Sequence, residues 1–488
     1  MRRSHIRGEG KPLKPLVIDL DGTLLQTDML HESTFRAVRD HPAVLLRIPA
    51  WLAKGKAGLK HRLAELADLN VECLPYHEEL LTWLREQKAS GRLVVLCTAS
   101  DRKYAQAIAA HLGVFDQVLA SDGTTNLSGA SKADALVKQF GAGEFDYAGN
   151  HESDLPVWAQ AHRAIVVNAP PGLADKAGKL ATVERIFPRA ATGPATWRRV
   201  LRMHQWMKNL LLFVPLLGAH AFAEPERWAM ALLGLLAFSL CASSVYIVND
   251  LLDLESDRLH IRKRNRPFAS GEVPVWMGAW LAPLLLAASA FLAYLTGPAF
   301  MGWLGAYFVL TTAYSFGLKR IILLDCLVLA LLYTLRIVAG AAAASLALSF
   351  WLLAFSVFLF LSLAFVKRYA ELHFQQEQGL QKAHGRGYYT SDASLIQTMG
   401  VTAGYGAALV LALYLNSDDV LRLYATPVFI WGAVPVMLFW ISWMWLQAHR
   451  GRMHDDPVIF ALKDRASLAA GAAFLAVLGM GTVGWTWP

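Results

Sequence analysis

The sequence predicts two kinds of fold on one chain, an α/β domain followed by an all-α polytopic membrane domain. The chain has 488 residues, of which 55% are hydrophobic and only 17% are charged, and so low a charged fraction excludes a disordered or purely soluble protein. Residues 205–488 contain one long apolar run after another, whereas residues 1–190 have the composition of a soluble domain. We expect residues 191–204 to link the two domains.

The first domain is expected to be a doubly wound α/β sheet. Short apolar runs typical of buried parallel strands alternate there with helical segments. The runs are PLVIDLDGT (15–23), LVVLCTAS (93–100), EFDYAGN (144–150) and AIVVN (164–168), and the helices lie around 101–112 and 131–140. The helix-rich stretch from about 26 to 88 interrupts the first strand–helix unit. We expect it to form a cap over the strand ends.

The second domain is expected to cross the membrane nine times. A helix needs about 20 apolar residues to cross the hydrocarbon core of a bilayer, and nine segments approach that length. Their approximate bounds are 206–223, 228–249, 276–296, 298–316, 322–344, 349–366, 397–415, 425–447 and 466–486.

The positive charges predict the orientation of these spans. The loops on the side of the N-terminal domain hold 15 Lys and Arg residues, and the opposite loops hold only Arg227 and Arg422. Since basic loops stay on the cytoplasmic side, we expect a cell (inner) membrane protein with a cytoplasmic N-terminal domain and an external C-terminus. Orientation also explains the net charge of +8 without nucleic-acid binding. The four cysteines form no CxxC pair, so the sequence indicates neither a disulfide framework nor a zinc site.

One predicted cytoplasmic loop combines carboxylates and cations. Asp250, Asp253 and Asp257 are spaced so that they would share one face of a helix, with Asn249 beside them. Oxygen ligands in this number suit Mg²⁺ bound together with a diphosphate. A basic cluster follows at once (Arg262, Lys263, Arg264 and Arg266), and cations beside metal-binding carboxylates are what a diphosphate site needs. The alternative is a solvated helix end that is merely acidic.

The motif NDxxDxxxD, followed by a KRxRPxxSG-like segment, resembles the UbiA superfamily of intramembrane prenyltransferases over roughly residues 197–487. In that family the first aspartate-rich motif binds a diphosphate through Mg²⁺, so the resemblance implies this role for Asp250, Asp253 and Asp257. The family has a second acidic motif on a later inside loop. Here that loop holds Glu371 and no DxxxD, a departure that disfavours an aromatic or quinone polyprenyltransferase, which stays the alternative function.

Four further segments look like one branch of that family, the decaprenyl-phosphate phosphoribosyltransferases. They are RMHQWMKNLLLFVPLL, SFGLKRIILLDCLVLALLYTLRIVAGAAAA, FVKRYAEL and GRGYY. The resemblance implies transfer of 5-phosphoribose from phosphoribosyl diphosphate (PRPP) to a polyprenyl phosphate of the bilayer, with another phosphorylated sugar diphosphate as the alternative donor. The expected substrate-binding residues of this domain are Lys208, Asn249, Lys263, Arg266, Lys319, Arg320, Arg336, Lys367, Arg368 and Glu371.

Arg336 is the strongest of these candidates because it lies about mid-span, where an unpaired charge has a high free-energy cost. Asp325, near the inside end of the same span, is its expected partner. A purely structural arginine is the alternative interpretation. A transporter or scaffold without chemistry is a further alternative, which the metal-binding inside loop disfavours.

In the first domain, DxDGT is followed in order by Thr98, Lys132 and Asp154, and this pattern resembles haloacid dehalogenase (HAD) phosphohydrolases over roughly residues 12–190. The resemblance implies that Asp19 is a nucleophile that forms an aspartyl-phosphate and that Asp21 is the general acid/base. It also implies that Thr98 and Lys132 bind the phosphoryl group, and that Mg²⁺ is held by Asp19, Asp21 and Asp154.

The fourth HAD motif departs from its usual GDxxxD pattern. Asn150 replaces the first aspartate, so metal binding is expected to be weaker unless Glu152 contributes. A degenerate domain kept for folding or docking is the alternative to an active phosphatase. If both domains are active, the phosphatase is expected to remove the 5-phosphate from the lipid product of the transferase.

Overall fold

The structure is a computed structural model, and it describes residues 13–189, 191–381, 387–417, 420, 424–453 and 456–482. Four residues used above to infer orientation lie outside this part of the chain, namely Lys382, Arg386, Arg422 and the C-terminal Pro488. The chain forms two compact units. The first unit comprises Met1–Leu201 with Ile247–Leu281, and the second comprises Arg202–Tyr246 with Ala282–Pro488.

The first unit contains a six-stranded parallel sheet with the order β3-β2-β1-β4-β5-β6. The strands are β1 (Leu16–Ile18), β2 (Val94–Asp101), β3 (Gln117–Ser121), β4 (Asp146–Gly149), β5 (Arg163–Val167) and β6 (Thr182–Phe187). The predicted doubly wound sheet is confirmed. The direction of chain progression reverses between β1 and β4, and in such sheets ligands bind at the carboxyl ends of the strands beside this point.

The sheet is buried on both faces, which explains why its central strands are continuous apolar runs. In β1, Leu16 and Ile18 belong to the apolar cluster on one face and Val17 to the cluster on the other. The α-helices of the hydrolase-like part are Met29–Asp40, Val44–Leu52, Lys56–Leu66, Glu78–Ala89, Arg102–Leu112, Ala130–Phe140, Leu155–Trp158, Leu173–Gly178 and Pro194–Val200, with 3₁₀ turns at Val71–Cys73 and Glu152–Asp154.

The predicted cap stretch forms helices with two different packing partners. Its first three helices enclose a small apolar cluster of their own that includes Ala37, Leu59 and Leu63. Its last helix, Glu78–Ala89, instead packs Leu84 into the apolar cluster of the sheet. We call the first three helices, Met29–Asp40, Val44–Leu52 and Lys56–Leu66, the cap helices. They contact the core of the sheet through Met29 and Ala64.

Seven helices in the described part of the chain are long and apolar enough to cross a membrane, so the protein is a multi-pass membrane protein. They are Pro225–Leu252, Val275–Thr296, Leu324–Ala343, Phe350–Glu377, Thr390–Leu415, Val428–His449 and Arg465–Thr482. Two of the seven are interrupted: Thr390–Leu415 consists of the 3₁₀ turn Thr390–Asp392 and the α-helix Ala393–Leu415, and Val428–His449 includes parts of the α-helices Pro427–Ile430 and Ala433–His449. The other helices of the described residues are Val214–Gly218, Leu254–Leu259, Pro298–Phe316 and Pro457–Ala461, with 3₁₀ segments at Met203–Phe213, Lys263–Asn265 and Leu318–Arg320.

The predicted number of nine spans is not confirmed. The expected first span, 206–223, is not one continuous helix, because a 3₁₀ helix over Met203–Phe213 leads into the short α-helix Val214–Gly218. The helix Pro298–Phe316 forms as expected with 19 residues, but it is not among the seven apolar helices.

The 3₁₀ helix lies directly against the span Leu324–Ala343. A Cβ atom at Gly340 would overlap the backbone of Leu212, so only glycine permits this approach. The close contact brings the polar residues of the 3₁₀ helix next to the polar face of that span.

Candidate functional site

The residues that resemble a HAD motif form a buried network at the carboxyl ends of β1 and β4. Lys132 donates to Asp19 Oδ1 at 2.7 Å and to the Tyr147 hydroxyl at 2.9 Å. That hydroxyl donates to Asp154 Oδ1, also at 2.9 Å. The structure therefore brings together three predicted residues and adds Tyr147, which the sequence showed only as a buried strand residue.

Asp21 lies beside this network with two donors of its own. Its carboxylate accepts from the Ser100 hydroxyl at 2.5 Å and from the Met29 backbone N–H at 2.8 Å. Burial, reinforced by the charges of Asp28 and Asp19, raises the pKa of Asp21 to about 7. A carboxyl group that titrates near neutrality is suited to giving and taking a proton.

Asp19 is perturbed in the same direction. Burial raises the pKa of Asp19 to about 6, although the Lys132 ammonium acts to lower it. Thr98 is buried within β2, where its hydroxyl oxygen accepts from the backbone N–H of Ser100 at 2.9 Å. Thr98 thereby stabilises the irregular last part of β2, from which Ser100 donates to Asp21.

The fourth motif is held by backbone bonds. Asp154 Oδ2 accepts from the N–H groups of Asn150 and His151, both at 3.0 Å, and the Asn150 amide oxygen accepts from the Thr23 hydroxyl at 3.2 Å. Glu152 is exposed and pairs with Lys176 at 2.5 Å. In this structure the carboxylate of Glu152 is therefore directed to a surface lysine, and its contribution to a metal site stays a prediction.

The buried carboxylates fit a Mg²⁺ ion only as a partial ligand set. Asp19 and Asp154 both lie within 4 Å of the Lys132 ammonium, at 2.7 and 3.9 Å, so their oxygens face one small region. In the described residues no three His, Cys, Asp or Glu side chains converge as a closed metal site. This donor set suits Mg²⁺, which takes one or two carboxylates and completes its shell with water and substrate oxygens.

The aspartate loop, which we define as residues 249–266, belongs to the first unit. The helix Pro225–Leu252 ends here and a short helix, Leu254–Leu259, follows it. Despite this break, Asp250 and Asp257 converge: Arg266 Nη1 donates to both, at 2.9 and 2.6 Å. Both carboxylates are buried, and their oxygens face the same group, the Arg266 guanidinium.

The third aspartate lies near a different cation. Asp253 Oδ1 is 3.9 Å from Arg39 Nη2, whereas Asp250 and Asp257 both accept from Arg266. Burial raises the pKa of Asp257, and Arg266 opposes that shift in part. Asn249 is half-buried in the last turn of its helix and Lys263 is exposed.

In the second unit, the carboxylate of Asp456 contacts two further predicted substrate-binding residues, Lys208 and Lys367. Its Oδ2 accepts from Lys208 at 2.7 Å and lies 3.6 Å from Lys367, and its Oδ1 accepts from the Tyr333 hydroxyl at 2.7 Å. Burial acts to raise the pKa of Asp456, but the ammonium groups of Lys208 and Lys367 outweigh it and hold that pKa well below its usual range. The sequence reasoning missed Asp456, since an Asp-Pro pair signals only a helix start.

Arg336 is held by neutral groups. Its Nε donates to Asn209 Oδ1 at 2.9 Å and its Nη2 to the Tyr307 hydroxyl at 3.2 Å. The guanidinium also lies over the rings of Phe238, Tyr307 and Tyr333, at 5.0–5.5 Å, which is favourable for a buried cation.

The expected pair between Arg336 and Asp325 is wrong. These residues lie eleven positions apart on one helix, or about 16 Å along its axis. Asp325 instead accepts from Arg368 and from the Tyr388 hydroxyl, the latter at 2.6 Å. Arg368 is fully buried and also pairs with Glu371, one turn further along its own helix. Lys319 and Arg320 lie on a separate 3₁₀ turn, with Arg320 exposed.

Comparison with known proteins agrees with both sets of motifs. The profile of the UbiA prenyltransferase family matches residues 211–468, and that of haloacid dehalogenase-like hydrolases matches residues 16–158. An uncharacterised protein of Sinorhizobium fredii is 38% identical over 461 residues, which cover 94% of this chain and 89% of that protein. This alignment is long enough to include both domains.

Two more similarities concern the membrane half. A decaprenyl-phosphate phosphoribosyltransferase of Mycolicibacterium smegmatis is 32% identical over 288 residues, which cover 58% of this chain and 90% of that enzyme. A UbiA homologue from Archaeoglobus fulgidus, solved with GPP and Mg²⁺, matches at 17% identity and a TM-score of 0.45 over 58% of this chain and 99% of that one. This chain belongs to the UbiA prenyltransferase family and carries an N-terminal haloacid dehalogenase-like hydrolase domain.

Proposed function

We propose that the protein is a Mg²⁺-dependent membrane transferase that moves 5-phosphoribose from PRPP to a polyprenyl phosphate and releases pyrophosphate. Its N-terminal domain is proposed to be a phosphatase that removes the 5-phosphate of the product. The choice of donor is supported by the 32% identity to a relative named decaprenyl-phosphate phosphoribosyltransferase.

The observation that carries the proposal is the convergence of Asp250 and Asp257 on one nitrogen of Arg266. The two buried carboxylates lie close enough together to share one cation, which in the structure is the Arg266 guanidinium. With Mg²⁺ bound to the carboxylates, that guanidinium would be suited to a phosphate oxygen. Mg²⁺ bound by these carboxylates would supply charge neutralisation for a departing diphosphate.

The cluster around Asp456 is proposed to receive a second anionic group. Two ammonium groups surround one carboxylate there, so the cluster keeps a net positive charge. The Lys367 side chain is 31% exposed whereas that of Lys208 is 10% exposed, which leaves Lys367 better placed to meet a phosphate. Arg336 is proposed to be structural, because protein groups already accept its hydrogen bonds.

The transfer breaks the bond between ribose C1 and the pyrophosphate oxygen and forms a bond from C1 to an oxygen of the polyprenyl phosphate. The attacking phosphate is already an anion, so no base is required. The protein's contribution is to position the two phosphates and to stabilise the charge of the leaving group. A site shielded from water also limits hydrolysis of the electron-deficient sugar.

In the hydrolase domain, Asp19 is proposed to attack the 5-phosphate and Asp21 to protonate the departing ribose hydroxyl. Lys132 neutralises charge on Asp19 and the transferred phosphoryl group, while Tyr147 orients Lys132. Asp21 then takes a proton from the water that hydrolyses the aspartyl-phosphate. Asn150 bonds to Thr23, so it stabilises the DxDGT turn.

We also propose that the chain crosses a cell membrane nine times. The excess of Lys and Arg on one side of the apolar segments supports a cytoplasmic hydrolase domain and aspartate loop and an external C-terminus.

A donor assay tests this function. Full-length protein in lipid nanodiscs is incubated with Mg²⁺, polyprenyl phosphate and PRPP labelled in the ribose, and labelled lipid is expected. An allylic diphosphate with a hydroxylated aromatic acid is expected to give no prenylated product, and the reverse outcome would establish the aromatic prenyltransferase instead. The wild-type lipid is expected to lack the 5-phosphate, whereas Asp19→Asn is expected to accumulate the phosphorylated lipid. If both proteins stop at the phosphorylated lipid, the coupled phosphatase step is wrong.

A further inference from the structure

We infer that Glu32, in the first cap helix of the hydrolase domain, is a positioning residue for the transferase: through Arg258 it holds the aspartate loop in place. The inference rests on the proposed function, and it makes phosphoribosyl transfer dependent on a contact that the hydrolase domain supplies. Glu32, Arg258 and the aspartate loop all belong to the first unit.

The contact between Glu32 and Arg258 is a two-bond ion pair. Arg258 Nη2 donates to Glu32 Oε1 at 2.6 Å and Nη1 to Oε2 at 3.0 Å. The two side chains are only 3% and 6% exposed. The Thr27 hydroxyl also donates to Glu32 Oε1 at 2.7 Å. This parallel geometry fixes the plane of the guanidinium as well as its position.

Arg258 transmits this constraint to the converging aspartates. Its Nε donates to the Ala269 carbonyl oxygen at 2.9 Å, so Arg258 contacts the chain on both sides of Arg266 in the sequence. The neighbouring residue in sequence is Asp257, which accepts from Arg266. A shift of Arg258 therefore moves both the carboxylate of Asp257 and the segment that carries its guanidinium partner.

Two further residues of the helix Met29–Asp40 also contact the aspartate loop. Glu32, Arg36 and Arg39 are spaced at i, i+4 and i+7 on Met29–Asp40, so they share one face. Arg36 pairs with Glu255, and Arg39 Nη1 bonds to the Leu252 carbonyl oxygen at 3.4 Å. The partners run backwards along the loop as the helix runs forwards, so the helix and the loop are joined by a row of three side-chain contacts rather than by one.

The other end of the same helix reaches the hydrolase site. The N–H of Met29, the first residue of the cap helix, donates to Asp21 at 2.8 Å. One rigid helix of 12 residues thus bonds to the proposed acid/base group at its start and to the aspartate loop along its face. Within the first unit, this set of contacts therefore connects the hydrolase site to the aspartate loop.

The test separates positioning from stability with three variants. Glu32→Gln leaves Arg258 as a buried charge without its carboxylate, so it is expected to destabilise the fold as well as to release the loop. The double variant Glu32→Gln with Arg258→Gln has no such lone charge, and its melting temperature is expected to recover. The matched control is Glu65→Gln, in another cap helix, where the carboxylate is 50% exposed and pairs with Arg62.

Two readouts are compared in full-length protein in nanodiscs. The first is backbone hydrogen–deuterium exchange without Mg²⁺, where peptides covering 250–270 are expected to exchange faster in the single and double variants than in Glu65→Gln. The second is the Mg²⁺ concentration for half-maximal transfer from PRPP. This concentration is expected to rise roughly tenfold in the single and the double variant, which is the effect expected when a residue that orients a metal ligand is replaced.

If the double variant recovers its melting temperature and also recovers wild-type exchange or wild-type Mg²⁺ dependence, Glu32 is only structural and the inference is overturned. If Glu32→Gln does not fold, the double variant alone gives the same decision. Should wild-type protein transfer nothing from PRPP, the proposed function fails, while the exchange experiment still decides whether Glu32 holds the aspartate loop.

Discussion

Replacement of Asp456 by asparagine is expected to destabilise the second unit strongly. The carboxylate balances two ammonium groups, Lys208 at 2.7 Å and Lys367 at 3.6 Å, and its side chain is only 8% exposed. Asparagine keeps the size and can still accept from the Tyr333 hydroxyl, so the change removes charge and little else. Loss of one partner of a buried ion pair costs about 3–5 kcal/mol.

This cost translates into a measurable shift of the melting temperature. At about 2–4 °C per kcal/mol for a domain of this size, Asp456→Asn is expected to lower the melting temperature by roughly 6 °C or more. The assay is thermal unfolding of purified protein in one detergent, followed by tryptophan fluorescence. Lys208→Met is expected to cost less, because Lys367 still pairs with the aspartate.

The matched control is Glu377→Gln, since that carboxylate is 62% exposed and pairs only with His373 in the contacts described. A surface change of this kind is expected to shift the melting temperature hardly at all. If Asp456→Asn melts together with this control, the reasoning about the buried cluster is refuted.

Three further predictions concern single groups. Lys132→Met is expected to slow hydrolysis of p-nitrophenyl phosphate by at least about 100-fold, because it removes the cation beside Asp19; a wild-type rate would contradict this role. The pKa of Asp21 is raised from 3.8 to about 7, so the folded state binds this proton more tightly than the unfolded state. Metal-free protein is therefore expected to lose stability as the pH rises from about 4 to 7, and Asp21→Asn is expected to lose less over the same range. Equal pH dependence of the two unfolding free energies, measured by denaturant titration, would contradict this prediction. Arg336→Met is expected to lower the melting temperature, because the Asn209 amide oxygen loses its donor at a cost of about 1–3 kcal/mol. The KM for PRPP is expected to stay unchanged. A higher KM with unchanged stability would instead place Arg336 at the substrate.

The sheet and its site were predictable because their signals are local. Each central strand is an apolar run that ends in polar residues, and the DxDGT turn places Asp19 directly after β1. The edge strands β3 and β6 were not predicted. Most side chains of β6 are exposed or half-buried, and a strand without a buried face has no apolar pattern to reveal it.

The polar contacts of the second unit were less predictable because they join distant parts of the chain. Lys208 and Asp456 are 248 residues apart, and no periodic pattern reports such a contact. The one partner proposed for Arg336, Asp325, was chosen because it lies on the same helix, yet helix geometry separates the two. In the aspartate loop the spacing did identify residues that meet, since Asp250 and Asp257 converge even though the helix breaks between them.

The most direct test of the central claim is phosphoribosyl transfer by protein lacking the converging carboxylates. Asp250→Ala and Asp257→Ala are measured with labelled PRPP, polyprenyl phosphate and saturating Mg²⁺, alongside Glu377→Gln, and each must show the exchange protection of wild-type protein outside the aspartate loop. Each alanine variant is expected to transfer at least about 100-fold more slowly than wild type. Transfer at the wild-type rate by either folded variant would contradict the assignment of this loop as the diphosphate site.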